Sequence, residues 1–213
     1  MKKLLARGFL RLAGWKAEGT RPRARTYVLI AAPHTSAWDL VYLLALAWSL
    51  ELRIAWMGKR QLFRFPFGPL MRWLGGIPID RERGERRVDQ MVEWLPRAGE
   101  LALVVPAEGT RRYAPHWKSG FYWIALGAGV PIVMGYLDFA RRRGGFGPEL
   151  VPTGDVSRDM DRVRAFYADK VGRYPQQASA VRLEQELAPG AQRLLPTDQT
   201  PSPVEASHRK TQQ

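Results

Sequence analysis

The sequence predicts an α/β fold, a single domain in which a mixed, mostly parallel sheet is flanked by helices. Three observations predict it. Strand and helix candidates alternate along the chain. The strand candidates are continuous apolar runs, such as Tyr27–Pro33 and Leu101–Pro106, rather than strict apolar–polar alternation, which marks a sheet covered on both faces. The length of 213 residues, 46% of them hydrophobic and 25% charged, suits one globular domain of ordinary size with a short tail.

The elements follow in order. Residues 1–16 read as an amphipathic helix. At about 100° per residue, Leu4, Leu5, Phe9, Leu12 and Trp15 share a broad face, and Lys3, Arg7 and Arg11 lie opposite. A link, Gly19–Arg25, leads to the strand Tyr27–Pro33. The turn His34-Thr35-Ser36 opens a helix over Trp38–Leu50, and Leu52–Gly58 reads as a second strand. Leu62–Leu74 is rich in aromatic and basic residues and is punctuated by Pro66, Gly68 and Pro69. At least half of its aromatics are expected in the core. Gly75–Arg81 reads as a short strand, and Glu85–Leu95 has helical spacing through Val88, Met91, Val92 and Leu95. Leu101–Pro106 is the clearest buried strand. Ser119–Ala128 is a helix and Val130–Leu137 a strand. Arg141-Arg142-Arg143 reads as a solvated basic run in a Gly-rich turn. Arg158–Val171 is an amphipathic helix. The expected organisation is an N-terminal amphipathic helix over 1–18, a catalytic domain over 19–188 and a disordered tail over 189–213, where Pro, Gln, Thr and Ser dominate.

Composition narrows the function classes. Lys and Arg number 33 against 20 Asp and Glu, a formal charge of +13. That excess favours anionic partners: nucleic acid, an acidic membrane surface or phosphorylated substrates. The absence of cysteine excludes disulfides, thiolate metal sites and a cysteine nucleophile. The longest apolar stretch, Leu40–Leu50, falls well short of the about 20 residues of a spanning helix. Arg7 and Arg11 interrupt the apolar residues at the N-terminus, unlike a signal-peptide core.

In α/β sheets, sites gather beyond strand C-termini, and two polar turns sit there. In the first, His34 precedes Asp39 by five positions. On one continuous helix these would lie about 140° apart. With His34 in the loop and Thr35 or Ser36 capping the helix, Asp39 falls in the first turn, where the helix dipole favours its charge. Its carboxylate can then reach one imidazole nitrogen and leave the other as a base. The alternative is a packed histidine and an aspartate that only decorates a helix start. No Gly-x-Ser-x-Gly elbow is present, so the economical chemistry is direct activation of a substrate hydroxyl. In the second turn, Glu108-Gly109-Thr110-Arg111, Gly109 permits close backbone approach, Arg111 offers a fork suited to phosphate, and Glu108 can accept hydrogen bonds from a polyol. Alone, this sequence also fits a surface turn.

Together these segments resemble the phospholipid/glycerol acyltransferase family, the lysophosphatidic acid acyltransferases. Four blocks stand in the family's order. His34-Thr35-Ser36-Ala37-Trp38-Asp39 resembles the catalytic His-x4-Asp block. Gly76-Ile77-Pro78-Ile79-Asp80-Arg81 resembles the second block, and Glu108-Gly109-Thr110-Arg111 the third. Val130-Pro131-Ile132-Val133 resembles the fourth. The likeness covers roughly residues 27–140. Pro78, Ala107 and Met134 depart from the usual residues of blocks two, three and four, and leave the acceptor open.

The resemblance implies a glycerolipid acyltransferase-like fold. It implies acyl transfer from a thioester, acyl-CoA or acyl carrier protein, to a lysophospholipid hydroxyl, with 1-acylglycerol 3-phosphate first among acceptors. It makes His34 the base and Asp39 its orienting carboxylate. It assigns Arg81, Glu108, Gly109, Thr110 and Arg111 to substrate binding, and it requires no cofactor or metal. The expected setting is cytoplasmic and peripheral on the inner face of the cell membrane, against an anionic surface. Glycerol 3-phosphate and a lyso-aminolipid are alternative acceptors. A non-catalytic lipid-binding or nucleic-acid-binding protein is a further alternative, but no nucleic-acid-binding pattern is apparent and no nucleic-acid partner is expected.

Overall fold

The computed structural model describes residues 1–79 and 84–187. Helix α1 (Lys2–Leu12) is followed by strands β1 (Lys16–Glu18) and β2 (Thr26–Ala32), helix α2 (Trp38–Ser49) and strand β3 (Ile54–Lys59). Helix α3 (Gly68–Trp73), strand β4 (Gly76–Ile79), helix α4 (Gly84–Trp94) and strand β5 (Leu101–Val105) come next. Helix α5 (Gly120–Ala128), strands β6 (Ile132–Asp138) and β7 (Arg143–Leu150) and helix α6 (Val156–Tyr167) complete the α-helices and strands among the described residues. The expected tail lies outside the described residues.

The seven strands form one sheet in the order β1-β7-β6-β2-β5-β3-β4. Every neighbouring pair is parallel except β6 and β7, so the sheet is mixed and mostly parallel, as expected. Successive residues of a strand point to opposite faces, and both faces are covered. Val28, Ile30, Leu103, Ile132 and Met134 pack with α5 and α6 on one side. Leu29, Ala102, Val104 and Val133 pack with Leu44 and Ala47 of α2 on the other. This two-sided burial is why β5 is apolar at every position. Among the described residues, no helix is long and apolar enough to cross a membrane.

Two strands depart from the expected reading. Lys16–Glu18 lies in what reads as a helix end and link, yet it pairs in parallel with β7 as the sheet's edge. The basic run expected wholly within a turn, Arg141–Arg143, is part of one only as far as Arg142, and Arg143 already starts β7. Glycines at 144, 145 and 147 dilute the apolar pattern that would announce a strand.

Helix α1 also differs. It ends at Leu12, and its buried residues are Ala6 and Leu10, packed with Ala45 and Leu46 of α2. The predicted apolar face is turned away from the protein: Leu4 and Leu5 are exposed, and Leu12 is 92% exposed. Trp15 leaves that face beyond the helix and stacks on Tyr42 at 4.1 Å between ring centres. In the aromatic segment, Phe63 is buried beside Trp56, but Phe65, Phe67, Leu70 and Trp73 are exposed. The expectation that at least half of these aromatics lie in the core is thus corrected: of Phe63, Phe65, Phe67 and Trp73, Phe63 alone is buried. A 3-10 helix (Arg60–Phe63) and α3 lie at the sheet's edge, and Phe63, Met71 and Leu74 are the residues that pack inward from this stretch.

The core places a definite demand on β5. Leu103→Ala, at a fully buried site, is expected to lower the unfolding free energy by about 2–5 kcal/mol. Denaturant unfolding measures it, and a loss of under about 1 kcal/mol would contradict this packing.

Candidate active site

The sheet register brings the two polar turns together. Strands β2 and β5 are hydrogen-bonded neighbours with Ile30 opposite Val105, and the chain leaves both at the same edge. His34 therefore emerges beside Glu108. The backbone N–H of His34 donates to Glu108 Oε1 at 2.6 Å.

Asp39 is buried in the first turn of α2. Its Oδ2 accepts from the backbone N–H groups of Thr35 and Ser36, both at 2.9 Å, and lies 3.1 Å from His34 Nδ1. The carboxylate thus folds the loop around itself and holds the imidazole. Neither Thr35 nor Ser36 is the helix cap expected from the sequence. The N-cap position is Ala37, which makes no side-chain cap hydrogen bond, and Asp39 instead takes the N–H groups of the loop before the helix. Ser36 Oγ accepts from Trp38 N–H at 3.2 Å. The His34 side chain is 24% exposed, and no described residue hydrogen-bonds its Nε2.

Glu108 is only 1% exposed. Its second oxygen accepts from the Ser179 N–H at 3.0 Å. Both oxygens are therefore committed to backbone donors, and the carboxylate faces inward rather than toward a polyol. Burial raises its pKa above the ordinary carboxylate range, against the opposing pull of the His34 and Ser179 N–H groups. Gly109 adopts φ +67°, and a Cβ there would stand 2.8 Å from the Lys118 side chain, so glycine suits both the turn and the contact. Thr110 Oγ1 accepts from Arg112 N–H. Arg111 is exposed with its side chain at the surface of this edge. Arg81 lies outside the described residues. Strand β4, which precedes it, runs parallel to β3 and ends at the same edge as β2 and β5.

A third segment has no counterpart in the sequence reading. Beyond α6, residues 171–179 return across both turns. Val171 O accepts from Phe139 N–H, Tyr174 N–H donates to Thr35 Oγ1 at 3.2 Å, and Ser179 N–H reaches Glu108. The Gln177 amide, oriented with its nitrogen toward them, donates to Arg111 O at 2.6 Å and Thr35 O at 3.0 Å. Gly172 packs so closely that a Cβ would lie 2.7 Å from Thr35 Oγ1. This strap acts chiefly through backbone groups, which any residue type carries, so no side-chain pattern announces it.

The arrangement is chemically specific. A carboxylate holds one imidazole nitrogen, and the histidine that carries the other is partly exposed. A model of the Acyltransferase family matches residues 16–135, a span that includes both polar turns. Among solved structures, the chain is similar to the 1-acyl-sn-glycerophosphate (LPA) acyltransferase PlsC from Thermotoga maritima, with 17% identity and a TM-score of 0.55 over 76% of this chain and 73% of that one. That likeness is one of fold. No curated protein matches the chain.

Glu108 gives this geometry a thermodynamic signature. Glu108→Ala leaves the His34 and Ser179 N–H groups without their acceptor and is expected to cost about 1–3 kcal/mol for each. The pH profile isolates the charge. Because the folded-state pKa is raised, the folded chain keeps this proton where the unfolded chain has released it. Wild-type stability should therefore fall, relative to Glu108→Gln, as pH rises from the ordinary carboxylate range through the raised value. Parallel unfolding titrations check this, and a pH-independent difference would refute it.

Proposed function

The chain belongs to the acyltransferase family, and from that membership we propose that it moves a fatty acyl group from a thioester to the hydroxyl of a lysophospholipid. The proposed acceptor is 1-acylglycerol 3-phosphate, and the donor is acyl-CoA or acyl carrier protein. One observation carries the reading: His34 Nδ1 lies 3.1 Å from a buried Asp39 carboxylate while the imidazole is partly exposed. At that distance, a proton on Nδ1 directed at the carboxylate sets the tautomer that leaves Nε2 a lone pair.

The chemistry follows. The acceptor hydroxyl gives its proton to His34 Nε2 as its oxygen attacks the thioester carbonyl. Asp39 holds the imidazole and stabilises the imidazolium that forms. The tetrahedral intermediate collapses, the C–S bond breaks, and the proton passes from His34 to the departing thiolate. The new ester stays on the acceptor, and no covalent enzyme intermediate is formed. Arg111, with Arg81, supplies charge for the acceptor phosphate. Glu108 contributes by holding the His34 backbone, since its own oxygens are taken.

We further propose that the protein works as a peripheral protein on an anionic membrane surface, at the cytoplasmic face. The outward apolar side of α1 and the exposed Phe65, Phe67 and Trp73 support this reading. Lys2 Nζ lies 3.9 Å from the Trp73 ring centre, which brings the start of α1 beside α3. The charge of +13 adds attraction to anionic lipid.

His34→Ala is expected to reduce acyl transfer by about 10²–10⁴-fold. Mass spectrometry of the product from acyl-CoA and lysolipid measures it, and near-wild-type turnover would overturn the catalytic assignment. For the membrane, Leu4→Ser, Leu5→Ser and Leu12→Ser together alter exposed positions only. The triple variant should float with anionic liposomes less than the wild type, and equal flotation would clear α1 of the role.

A further inference from the structure

Arg173 sits at the middle of the strap, exposed to solvent. Its guanidinium carbon lies 5.5 Å from the Trp38 ring centre, 5.9 Å from Tyr174 and 6.0 Å from Phe139. Three rings therefore hold the charge from different elements: the start of α2, the strap itself and the end of β6. Among the described residues it meets no carboxylate. Two other arginines near the strap are paired with carboxylates. Arg141 pairs with Asp138 and Asp169, and Arg164 with Asp161 and Glu186. Aromatic faces hold a guanidinium in place without cancelling its charge, and its planar donors match phosphate oxygens.

Its position ties it to the site. Trp38 immediately precedes Asp39. Tyr174, the next residue after Arg173, donates its N–H to Thr35 Oγ1, beside His34. Arg173 also lies beyond residues 16–135, the span matched by the family, so it is not one of the arginines that the sequence blocks point to.

We propose that Arg173 is a phosphate-binding residue of this site, held by Trp38, Tyr174 and Phe139 for a phosphate of one of the two substrates. The inference rests on the acyl-transfer reading of the site for the nature of those substrates. A phosphomonoester on the acceptor and the phosphates of a CoA donor present the same chemistry, and the experiment separates them.

Equilibrium binding is measured for the full chain with two pairs of probes. The acceptor pair is 1-acylglycerol 3-phosphate and 1-monoacylglycerol, and the donor pair is CoA and pantetheine. Arg173→Ala removes the side chain, and Arg173→Gln keeps a long polar chain without charge. Both variants should bind at least one phosphate-bearing probe about tenfold or more weakly, the effect of losing a charge-assisted contact, with its phosphate-free counterpart unchanged. A loss confined to 1-acylglycerol 3-phosphate assigns the acceptor's phosphate, and one confined to CoA assigns the donor's. Equal weakening within a pair, unchanged affinities, or a wild-type chain that binds neither phosphate-bearing probe would overturn the proposal. Binding is read without turnover. A chain that binds phosphate through Arg173 yet transfers no acyl group would overturn the catalytic reading alone.

Discussion

The site is organised around one buried carboxylate that accepts two backbone hydrogen bonds. Glu108 leaves the end of β5 and takes the His34 N–H with one oxygen and the Ser179 N–H with the other. Three segments far apart in sequence are thereby fixed to one another. Removing a carboxylate from water is costly, as the raised pKa of Glu108 reflects, and the two donors offset part of that cost. The parallel register of β2 and β5 puts the residues within reach, and Asp39 then needs only local contacts to orient the imidazole.

Much of the fold was legible because burial on both faces leaves a strong mark. Strands β2, β5 and β6 are nearly unbroken apolar runs, and α2 and α5 are bounded by turns that read clearly. Strands β1 and β7 were not legible. β1 is three residues at an edge, and β7 is rich in glycine, so neither carries the apolar pattern of the interior. Helix α1 shows a different limit. Its periodicity gives two faces, but periodicity cannot say which face meets the protein. The small residue Ala6 and its neighbour Leu10 lie against α2, and the larger leucines remain outside.

The site was legible in the same uneven way. His34 and Asp39 are close in sequence, so a helix start between them suffices to infer their meeting. Glu108 stands out in the sequence, but its inward orientation does not, because that depends on a donor 71 positions away. The strap left no trace, since its hydrogen bonds to Thr35 Oγ1 and Glu108 come from main-chain N–H groups. Arg173 likewise reads as one more basic residue in a basic chain until Trp38, Tyr174 and Phe139 surround it.

The strap also sets the boundary of any transplantable unit. The family-matched span ends at residue 135, yet the partners of Thr35 Oγ1 and Glu108 Oε2 come from residues 174 and 179. A chimera that moved only the recognisable span into a foreign scaffold would carry the imidazole and both carboxylates but leave behind the donors that seat their loops. The indivisible module of this protein is set by where those hydrogen bonds close, well beyond the last recognisable block.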